Sequence, residues 1–568
     1  MKRSKRRMII ILAAALVAVL SAVCLSACDP DEPENAGAFT ETVSSAEDME
    51  KIRSSLGAYY DQGVFELTSD IVLDGDWTPI GTSVTDSFRG TLDGKGHTIT
   101  FAAELETPSE RVTDPAATAS WGLFGYLNGA TVKNLNINVS LSVPVNANMV
   151  YAGALAGFAY GDVTVENVGV TGSVEVNMTN VLETGDYNSF GMSASVGGVI
   201  GYAIGDIDMN NVVTDASVAA EVFSAPGGMT SAIRTLQIGG VAGTIRTADI
   251  SSESHAPYAS VSGVACSGSV TAYAYTANAG GLFGLSHRTV AADVSYTGAL
   301  DARFVSRLNV GGIAGTQDAG EFSDMIVGTE TADASVTVAK ASNIGTATAG
   351  IGGVTGYLSN GSVINNAVSF CDITIAETSV NAMRSYVGGI AGQIYFSDVA
   401  NAASSGSFRN DSLFVLTDGG FSHAAAAGFQ RDYYANCGGI AGRLYGDSTL
   451  ANVTSLIDGV YHGIAGEALG GYEVVSLEAD ETIADWLYDN GYPADTVTEE
   501  ISGDDDEDNT YLIRHRYTVT DAVYAGCEAE NAIEGTDDDT EGVNNVGTKG
   551  DEAALRGRLA AILSAINE

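Results

Sequence analysis

A short glycine-rich motif recurs along the chain and limits the folds that the chain can adopt. The motif reads NVGGIAG at residues 309–315, and its relatives keep two glycines, an apolar residue and a further glycine at the same spacing. Nine copies end on Gly125, Gly157, Gly201, Gly243, Gly284, Gly315, Gly356, Gly392 and Gly442. Their intervals of 31 to 50 residues are typical of proteins that stack one supersecondary unit on the next.

Each motif opens a segment in which apolar and polar residues alternate. Residues 351–375 read IGGVTGYLSNGSVINNAVSFCDITI, which predicts three short strands separated by turns. Three strands cannot bury their apolar face alone, but units stacked about 4.8 Å apart can. The glycines then mark corners where the backbone needs a positive φ, or where neighbouring coils approach too closely for a Cβ. The alternative, a flexible glycine-rich linker, does not carry such alternation.

The GG-(V/I/L)-x-G repeats resemble the GLUG motif of bacterial surface proteins. Segments 65–81 and 87–100 look like the entry coils that precede such repeats, although Trp121 and Ala154 each replace a glycine in the first two copies. The resemblance implies an all-β fold, a right-handed parallel β-helix (β-solenoid), here of about ten coils with short helical caps. We expect an N-terminal cap and entry coils over 38–118, solenoid repeats over 119–466, and C-terminal coils with a helical cap over 467–568.

The first 27 residues have the pattern of a lipoprotein signal peptide. A basic start, MKRSKRR, precedes an apolar run that is too short for a typical spanning helix. The run ends in LSAC at residues 25–28, which resembles a bacterial lipobox and implies cleavage before Cys28 and a lipid on that residue. Residues 28–37 then form a flexible linker, and the protein is anchored to the outer side of the cell membrane. An ordinary secretory signal or an uncleaved anchor is the alternative.

The charge of the chain limits its partners. The formal net charge is −45, with 26 basic and 71 acidic residues, so nucleic acid is excluded as a partner for lack of basic patches. Two acidic runs, at 503–509 and 536–542, have the oxygen-rich composition that Ca²⁺ prefers, but neither matches an EF-hand loop and solvated turns are the simpler explanation. Cys266, Cys371, Cys437 and Cys527 form no CxxC pair, and we expect buried hydrophobic roles for them.

Both ends of the repeat region contain helix-forming segments. Residues 45–56 predict a helix with a capping box from Ser45 to Asp48, and residues 479–491 predict a second helix that ends at Gly491. A strand is expected over 510–520. The terminal segment places Leu555, Leu559, Ile562 and Ile566 on one helical face. We expect these helices to cover open strand edges or to pack on the side of the repeats.

No catalytic motif is present in the sequence. It contains no HExxH and no GxSxG, and the nearest segment to the latter, GFSHA at 420–424, lacks the required strand–turn–helix context. The large number of acidic residues makes chance carboxylate pairs common, so a glycosidase pair cannot be identified from the sequence. We therefore expect no catalytic residue, no cofactor and no metal site, and we do not expect an enzyme.

The longest insert between motifs is the strongest candidate for a binding surface. Residues 411–436 contain the cluster Phe429, Arg431, Tyr433 and Tyr434, and aromatic and arginine side chains are common interface anchors. The alternative is that these rings hold the loop on the coils. The sequence thus favours a surface protein for adhesion, scaffolding or binding of an extracellular protein or glycan. A carbohydrate-active β-helix enzyme and a passive envelope stalk are the other two readings.

Overall fold

The structure, a computed structural model, describes most of the chain beyond residue 38. It covers residues 39–567 apart from 57–62, 105–117, 145–146, 148, 179–191, 223–233, 248–258, 333, 342–346, 377–382, 411–414, 418–419, 423–436, 461, 470–471, 477–481, 490–496, 501–509, 515–516 and 526–546.

A full repeat unit contains four strand positions, one more than the sequence pattern predicts, although in several units two of these positions merge into one long strand. In the unit that follows residue 191, the strands are Met192–Gly197, Ile200–Ile204, Ile207–Thr214 and Ser217–Val222. The extra strand arises because the motif is not a single run: one strand ends on its first glycine and another begins two residues after its second. We number these strand positions rows 1 to 4, with the two glycines at the corner between row 1 and row 2.

The strands of the four rows have the following bounds. Row 1 contains Thr118–Trp121, Met149–Ala152, Met192–Gly197, Arg234–Gly239, Ala347–Gly352, Met383–Gly388 and Cys437–Gly438. Row 2 contains Phe124–Asn128, Ala156–Tyr160, Ile200–Ile204, Ala242–Arg246, Phe283–His287, Ala314–Asp318, Thr355–Ser359, Ala391–Tyr395, Ala441–Tyr445 and Ala465–Leu469. Row 3 contains Thr40–Val43, Val64–Leu67, Thr91–Asp93, Ile207–Thr214, Ala259–Cys266, Thr289–Tyr296, Glu321–Val327, Asp398–Ser405, Thr449–Ser455, Thr518–Tyr524 and Thr548–Lys549. Row 4 contains Ile71–Asp76, Thr98–Glu104, Ser217–Val222, Ala334–Lys340 and Phe408–Asn410. Longer strands pass through rows 3 and 4 at Thr131–Pro144, Val163–Asn177 and Val363–Ile375, and through rows 4 and 1 at Val270–Gly280 and Ala299–Gly311.

Successive units pair strand to strand in parallel. In the part of the chain that the structure describes, row 2 forms a ten-stranded parallel sheet whose strands follow one another in sequence order. Rows 1, 3 and 4 pair in the same way within one larger sheet; Val310 in row 1, for example, is in register with Ile351 of the next unit. The protein is therefore all-β with parallel sheets, as the sequence predicts.

The apolar core lies inside the rows. Val310, Ile313, Ile351, Val354 and Ile390 are fully buried in one continuous hydrophobic cluster, which confirms the expected inward direction of these side chains. Cys266, Cys371 and Cys437 are buried and form no disulfide among the described residues, and burial raises the pKa of Cys437 to about 12. A thiol held protonated in this way behaves as a small hydrophobic group, in agreement with the prediction for these three residues.

Close approach, and not a left-handed backbone, explains the paired glycines. Gly311 and Gly312 do not have a positive φ, so that part of the sequence expectation is wrong for this copy. A Cβ on Gly312 would lie 2.4 Å from the carbonyl oxygen of Gly353 in the next unit and 2.5 Å from Cγ1 of Val327 inside the core. The corner therefore has no room for a side chain, because the units stack at the spacing of a β-ladder.

A second repeated feature, which the sequence pattern did not predict, lies in row 3. In ten row 3 strands, from Thr131–Pro144 to Thr518–Tyr524, one residue has a left-handed backbone, and it is Asn, Asp or Gly every time. These residues, which we call the row 3 ladder, are Asn134, Asn167, Asn211, Gly263, Asp293, Asp324, Asn366, Asn401, Asn452 and Asp521. Many of the asparagines bond along the stack; Asn211 Nδ2, for example, donates to Asn167 Oδ1 at 2.7 Å. Short polar side chains and glycine tolerate this backbone best.

Helix α1 covers the front of the stack. It spans Ala46–Ser54 and buries Met49 and Ile52. The side chain of Ser45 accepts a hydrogen bond from the Asp48 backbone N–H at 3.2 Å, while the Asp48 carboxylate accepts one from the backbone N–H of Ser44 at 2.8 Å. The predicted cap is confirmed, with its return bond shifted by one residue.

The C-terminal part combines a side sheet with two helices. Residues 510–520 form two strands and not the single predicted one, because Thr510–Arg514 joins an antiparallel sheet with Tyr472–Ser476 and Val497–Glu500 whereas Thr518–Tyr524 continues row 3. A further antiparallel pair links Val415–Thr417 and Gly420–Ser422. Helix α2 spans Ile483–Asp489 and helix α3 spans Glu552–Ile566.

Helix α3 packs on the outer face of row 3, beside the ladder. Its buried residues Leu555, Leu559 and Ile562 contact Val368 and Phe370. Arg558 donates to Asn452 Oδ1 at 2.6 Å and to Asp521 Oδ1 at 2.9 Å, so this helix binds the last two members of the ladder. The expectation of side packing is confirmed for α3.

Candidate functional site

The outward side chains of rows 1 and 2 face each other and line one cleft along the stack. In row 1 the cleft positions are Ser120, Tyr151, Ser195, Gln237, Asn278, Asn309, Gly350 and Tyr386, which are in mutual register. In row 2 they are Tyr126, Phe158, Tyr202, Thr244, Leu285, Thr316, Tyr357, Gln393, Arg443 and Glu467. Contacts between the walls define the cleft: Ser195 Oγ lies 2.9 Å from Thr244 Oγ1, and Asn309 Nδ2 lies 3.0 Å from Thr316 Oγ1.

The last glycine of each motif forms the floor of this cleft. A Cβ on Gly315 would lie 2.5 Å from the backbone nitrogen of Ala279 in row 1 of the preceding unit. The same modification of Gly356 would bring its Cβ to 2.2 Å from the nitrogen of Val310. Rows 1 and 2 therefore touch backbone to backbone at the floor, and only glycine permits this contact. The motif specifies the floor and leaves the walls free to vary.

Aromatic rings fill the N-terminal end of the cleft. Phe158 and Tyr202 stack with ring centroids 5.4 Å apart and planes 3° apart. Tyr151, from the opposite wall, lies 5.1 Å from Phe158 and 5.3 Å from Tyr202. Tyr126 adds a fourth ring 5.7 Å from Phe158. Burial raises the pKa of the Tyr151 and Tyr126 hydroxyls above their ordinary value, so both stay protonated donors at neutral pH.

Amide and hydroxyl groups line the middle of the cleft. Asn309 Nδ2 donates to Asn278 Oδ1 at 2.9 Å, and Asn278 Nδ2 donates to Gln237 Oε1 at 2.8 Å. The Thr316 hydroxyl also donates to Asn278 Oδ1, at 2.9 Å. These side chains belong to three consecutive units, so the network runs along the stack and holds the amides in one orientation.

Charged side chains lie at the ends of the row 2 strands, two residues beyond the cleft positions. We call this outer edge of a cleft wall its lip. His287 Nδ1 lies 3.0 Å from Asp318 Oδ2 in the next unit, and Ser359 in the unit after that donates to Asp318 Oδ1 at 2.8 Å. Asn360 donates to the same oxygen. Burial raises the pKa of Asp318, but the hydrogen bonds from His287, Ser359 and Asn360 outweigh it and hold the pKa below its ordinary value. Asp318 is therefore ionised at neutral pH.

An arginine surrounded by tyrosines lies at the C-terminal end. The Arg443 guanidinium is 5.3 Å from the ring centroid of Tyr386, 5.4 Å from that of Tyr395 and 5.3 Å from that of Tyr445. Its Nε lies 2.9 Å from Glu467 Oε2 in the next unit. Burial raises the pKa of Tyr395 to about 12, an effect that the Arg443 charge opposes. The charge of Arg443 is thus matched within the cleft, by a carboxylate and three π-faces.

The separation of the carboxylates argues against one type of catalysis. Asp318 and Glu467 are the acidic side chains among the described cleft and lip positions, and they belong to the sixth and tenth strands of the row 2 sheet. Four steps of the stack separate them by about 19 Å. Paired glycosidase carboxylates lie about 5 to 9.5 Å apart, so these two cannot act as such a pair. Among the described residues, no group of three or more His, Cys, Asp or Glu side chains is placed to hold a metal ion.

The site residues chosen from the sequence cannot be placed. Cys28 and the cluster of Phe429, Arg431, Tyr433 and Tyr434 lie outside the described residues, as do both acidic runs proposed for Ca²⁺. The cleft was not predicted from the sequence. The usable signal was the residue directly after each motif's last glycine, which is aromatic in several units, leucine in one and polar in the others. Within the described part of the chain, no helix has the length and hydropathy required to cross a membrane.

Comparisons with known proteins add little to this description. No protein-family model matches the chain, and no curated protein matches it. Among solved structures, the chain is similar to a Bacteroides ovatus protein described as a "putative immunoglobulin A1 protease", with a TM-score of 0.28 and 14% identity, over 69% of this chain and 84% of that one. A similarity this low supports neither a fold assignment nor an activity. The strands and the cleft define the class: an all-β repeat protein with parallel sheets and one long polar–aromatic cleft.

Proposed function

We propose that the chain is a right-handed parallel β-helix of the GLUG type that binds a polymeric extracellular glycan along the cleft. It is held at the outer side of the membrane by a lipid on Cys28. The observation that carries the proposal is the cleft itself, in which aromatic rings, oriented amides and an arginine succeed one another from unit to unit. A carbohydrate presents apolar C–H faces that pack on rings and hydroxyl groups that pair with amides.

The repeat spacing favours a polymer over a small molecule. Equivalent cleft positions recur about every 4.8 Å along the stack, so the cleft offers one set of contacts per unit over ten row 2 strands. A small ligand would use one or two such sets, whereas a chain molecule can use many weak contacts together.

A glycan array probed with the purified full chain tests the proposal. The double variant Tyr151→Ala, Tyr202→Ala removes two rings from facing walls, and we expect it to lose most of the binding, because aromatic anchors dominate contact energy. The matched control is Val213→Ala, on the outer face of row 3, where Val213 is 52% exposed. Thermal unfolding of each variant checks that the fold is retained. A folded double variant that binds every glycan as the parent does would remove the cleft from the proposal.

The anchor has its own test. We expect Cys28 to carry a thioether-linked lipid and Cys28→Ala to release the protein from the membrane fraction. Mass spectrometry of the N-terminal peptide detects the lipid directly. An unmodified Cys28 in protein that still sediments with membranes contradicts the anchor and leaves the cleft proposal untouched.

Cleavage of the bound glycan is the second candidate function. The His287–Asp318 pair favours it, since an oriented imidazole beside a carboxylate is a common general base. Incubation of array-positive glycans with the full chain, followed by measurement of new chain ends, separates the two functions. Chain ends that form with the parent protein and fail to form with His287→Ala support an enzyme; intact glycan in both samples supports a binding protein.

A further inference from the structure

The cleft contains positively charged side chains although the chain as a whole is strongly acidic. The chain has a net charge of −45, yet three arginines whose side chains the structure describes lie on the walls and lips of the cleft: Arg246, Arg307 and Arg443. Arg307 lies two residues before the row 1 cleft position Asn309, and its charge lowers the pKa of Tyr357 on the opposite wall, against the larger effect of burial. Arg246 ends a row 2 strand and is in register with His287 of the next unit.

Two of these arginines have no carboxylate partner in the described structure. Glu467 pairs with Arg443, and Asp318 is held by His287, Ser359 and Asn360. No ion pair to a described carboxylate forms at Arg246 or Arg307. The Nε of Arg246 is moreover buried without a hydrogen-bond partner among the described residues, and Arg307 is exposed at the mouth of the cleft. A buried donor without an acceptor is costly, and an anionic ligand group would satisfy it.

We infer that the glycan bound by the cleft is acidic, with carboxylate groups that pair with Arg246 and Arg307; this inference rests on the proposed function. The two arginines are two units apart, so they lie about 10 Å apart along the stack. A polymer with regularly spaced carboxylates can therefore reach both while its rings and hydroxyls use the aromatic and amide positions. Arginine suits this role because its planar group binds a carboxylate through two parallel hydrogen bonds.

A pair of polymers that differ only in charge tests the inference. Binding of the purified full chain is measured to polygalacturonate and to the same polymer after reduction of its carboxyl groups. We expect at least tenfold tighter binding of the acidic polymer, and a difference that shrinks as salt is added. Poly-L-glutamate serves as an acidic polymer without sugars.

Arginine variants locate the charge contact. Arg246→Gln and Arg307→Gln should each weaken binding of polygalacturonate about tenfold, the size expected when one charge-assisted hydrogen bond is lost. Arg307→Lys, which keeps the charge, should recover part of this loss. The control is Arg303→Gln: it removes the same charge from the same strand, Ala299–Gly311, but at an exposed row 4 position 3.7 Å from Asp301. It should change binding less than twofold.

The outcomes distinguish failure of the acidic-ligand inference from failure of the proposal that the cleft binds a glycan. Equal binding of both polymers, sensitive to Tyr151→Ala, Tyr202→Ala but not to the arginine variants, overturns the acidic ligand and retains a glycan-binding cleft. Equal or tighter binding of poly-L-glutamate with the same arginine dependence identifies an acidic peptide and overturns the inference. Failure of the acidic polymer to bind overturns it as well.

Discussion

The cleft and the row 3 ladder run along the same stack, but the ladder restricts which residue types its positions accept and the walls of the cleft do not. Every ladder position is Asn, Asp or Gly, because the backbone there is left-handed. The wall positions of the cleft vary from ring to amide to arginine, and only at the wall position Gly350 would a Cβ meet backbone, 2.6 Å from the carbonyl oxygen of Gly356. A repeat protein thus shows where a side chain is required by its own fold and where it is free to serve a ligand.

The largest expected effect is at the corner glycine. Gly312→Ala places a Cβ 2.4 Å from the Gly353 carbonyl oxygen, and we expect it to lower the free energy of unfolding by about 3 kcal/mol or more, measured by urea titration. Gly557→Ala in α3 is the matched control, since a Cβ there meets nothing within 4 Å. It should stabilise by about 0.5 kcal/mol through helix propensity. Equal effects of the two changes would mean that the corner is not closely packed.

The ladder should show an intermediate effect with two separable causes. Asn401 has a φ of 51°, donates to Asn365 Oδ1 at 2.8 Å and accepts from Asn452 Nδ2 at 2.7 Å. We expect Asn401→Ala to cost about 1 to 2 kcal/mol of unfolding free energy, since it loses both bonds and strains the backbone. Asn401→Gly keeps the backbone and should cost about half as much. Asn210→Ala, at an exposed asparagine beside the ladder, is the control; a cost similar to that of Asn401→Ala would refute the role of the left-handed position.

The stability of the C-terminal end of the ladder should decrease at acid pH. The hydrogen bond from Arg558 lowers the pKa of Asp521 below its ordinary value. A carboxyl whose pKa is lower in the folded state stabilises that state above the unfolded pKa of about 3.9, and this contribution is lost as the pH falls through the folded pKa. Because Asp521 is mostly exposed, the loss should be about 0.5 kcal/mol at most. Hydrogen exchange in α3 at pH 6 and pH 3 measures it, and Asp521→Asn should remove this part of the difference.

The smallest effect is expected on the cleft wall. Tyr202→Phe converts one wall position into the residue that its neighbour Phe158 already carries, and the two rings stack 5.4 Å apart. We expect the unfolding free energy to change by about 0.5 kcal/mol or less. A loss comparable to that of Asn401→Ala would show that the wall is as constrained as the ladder, and the contrast between the two regions would fail.

Much of the fold could be read from the chain without its structure. The motif spacing and the alternation of apolar residues predict stacked units, parallel strands and a buried face that contains Val310 and Ile351, because these are local properties of a strand. The capped helix near Ser45 and the apolar face of α3 are equally local. The last glycine of each motif was visible in the sequence as a pattern, but its role in the floor of the cleft was not. The atoms that approach this glycine most closely belong to the preceding unit.

Only the tertiary structure decided which outward faces meet. Side-chain alternation says that Asn309 and Thr316 point away from the core, but the corner between rows 1 and 2 brings them within 3.0 Å of each other. The same holds for residues 510–520, whose two halves belong to different sheets although their local pattern is continuous. The sequence by itself determined the strands, the core and the repeat, since these follow from neighbours along the chain. The cleft, the ladder and the position of Arg246 beside His287 of the next unit depended on contacts between units, which neither alternation nor motif spacing encodes.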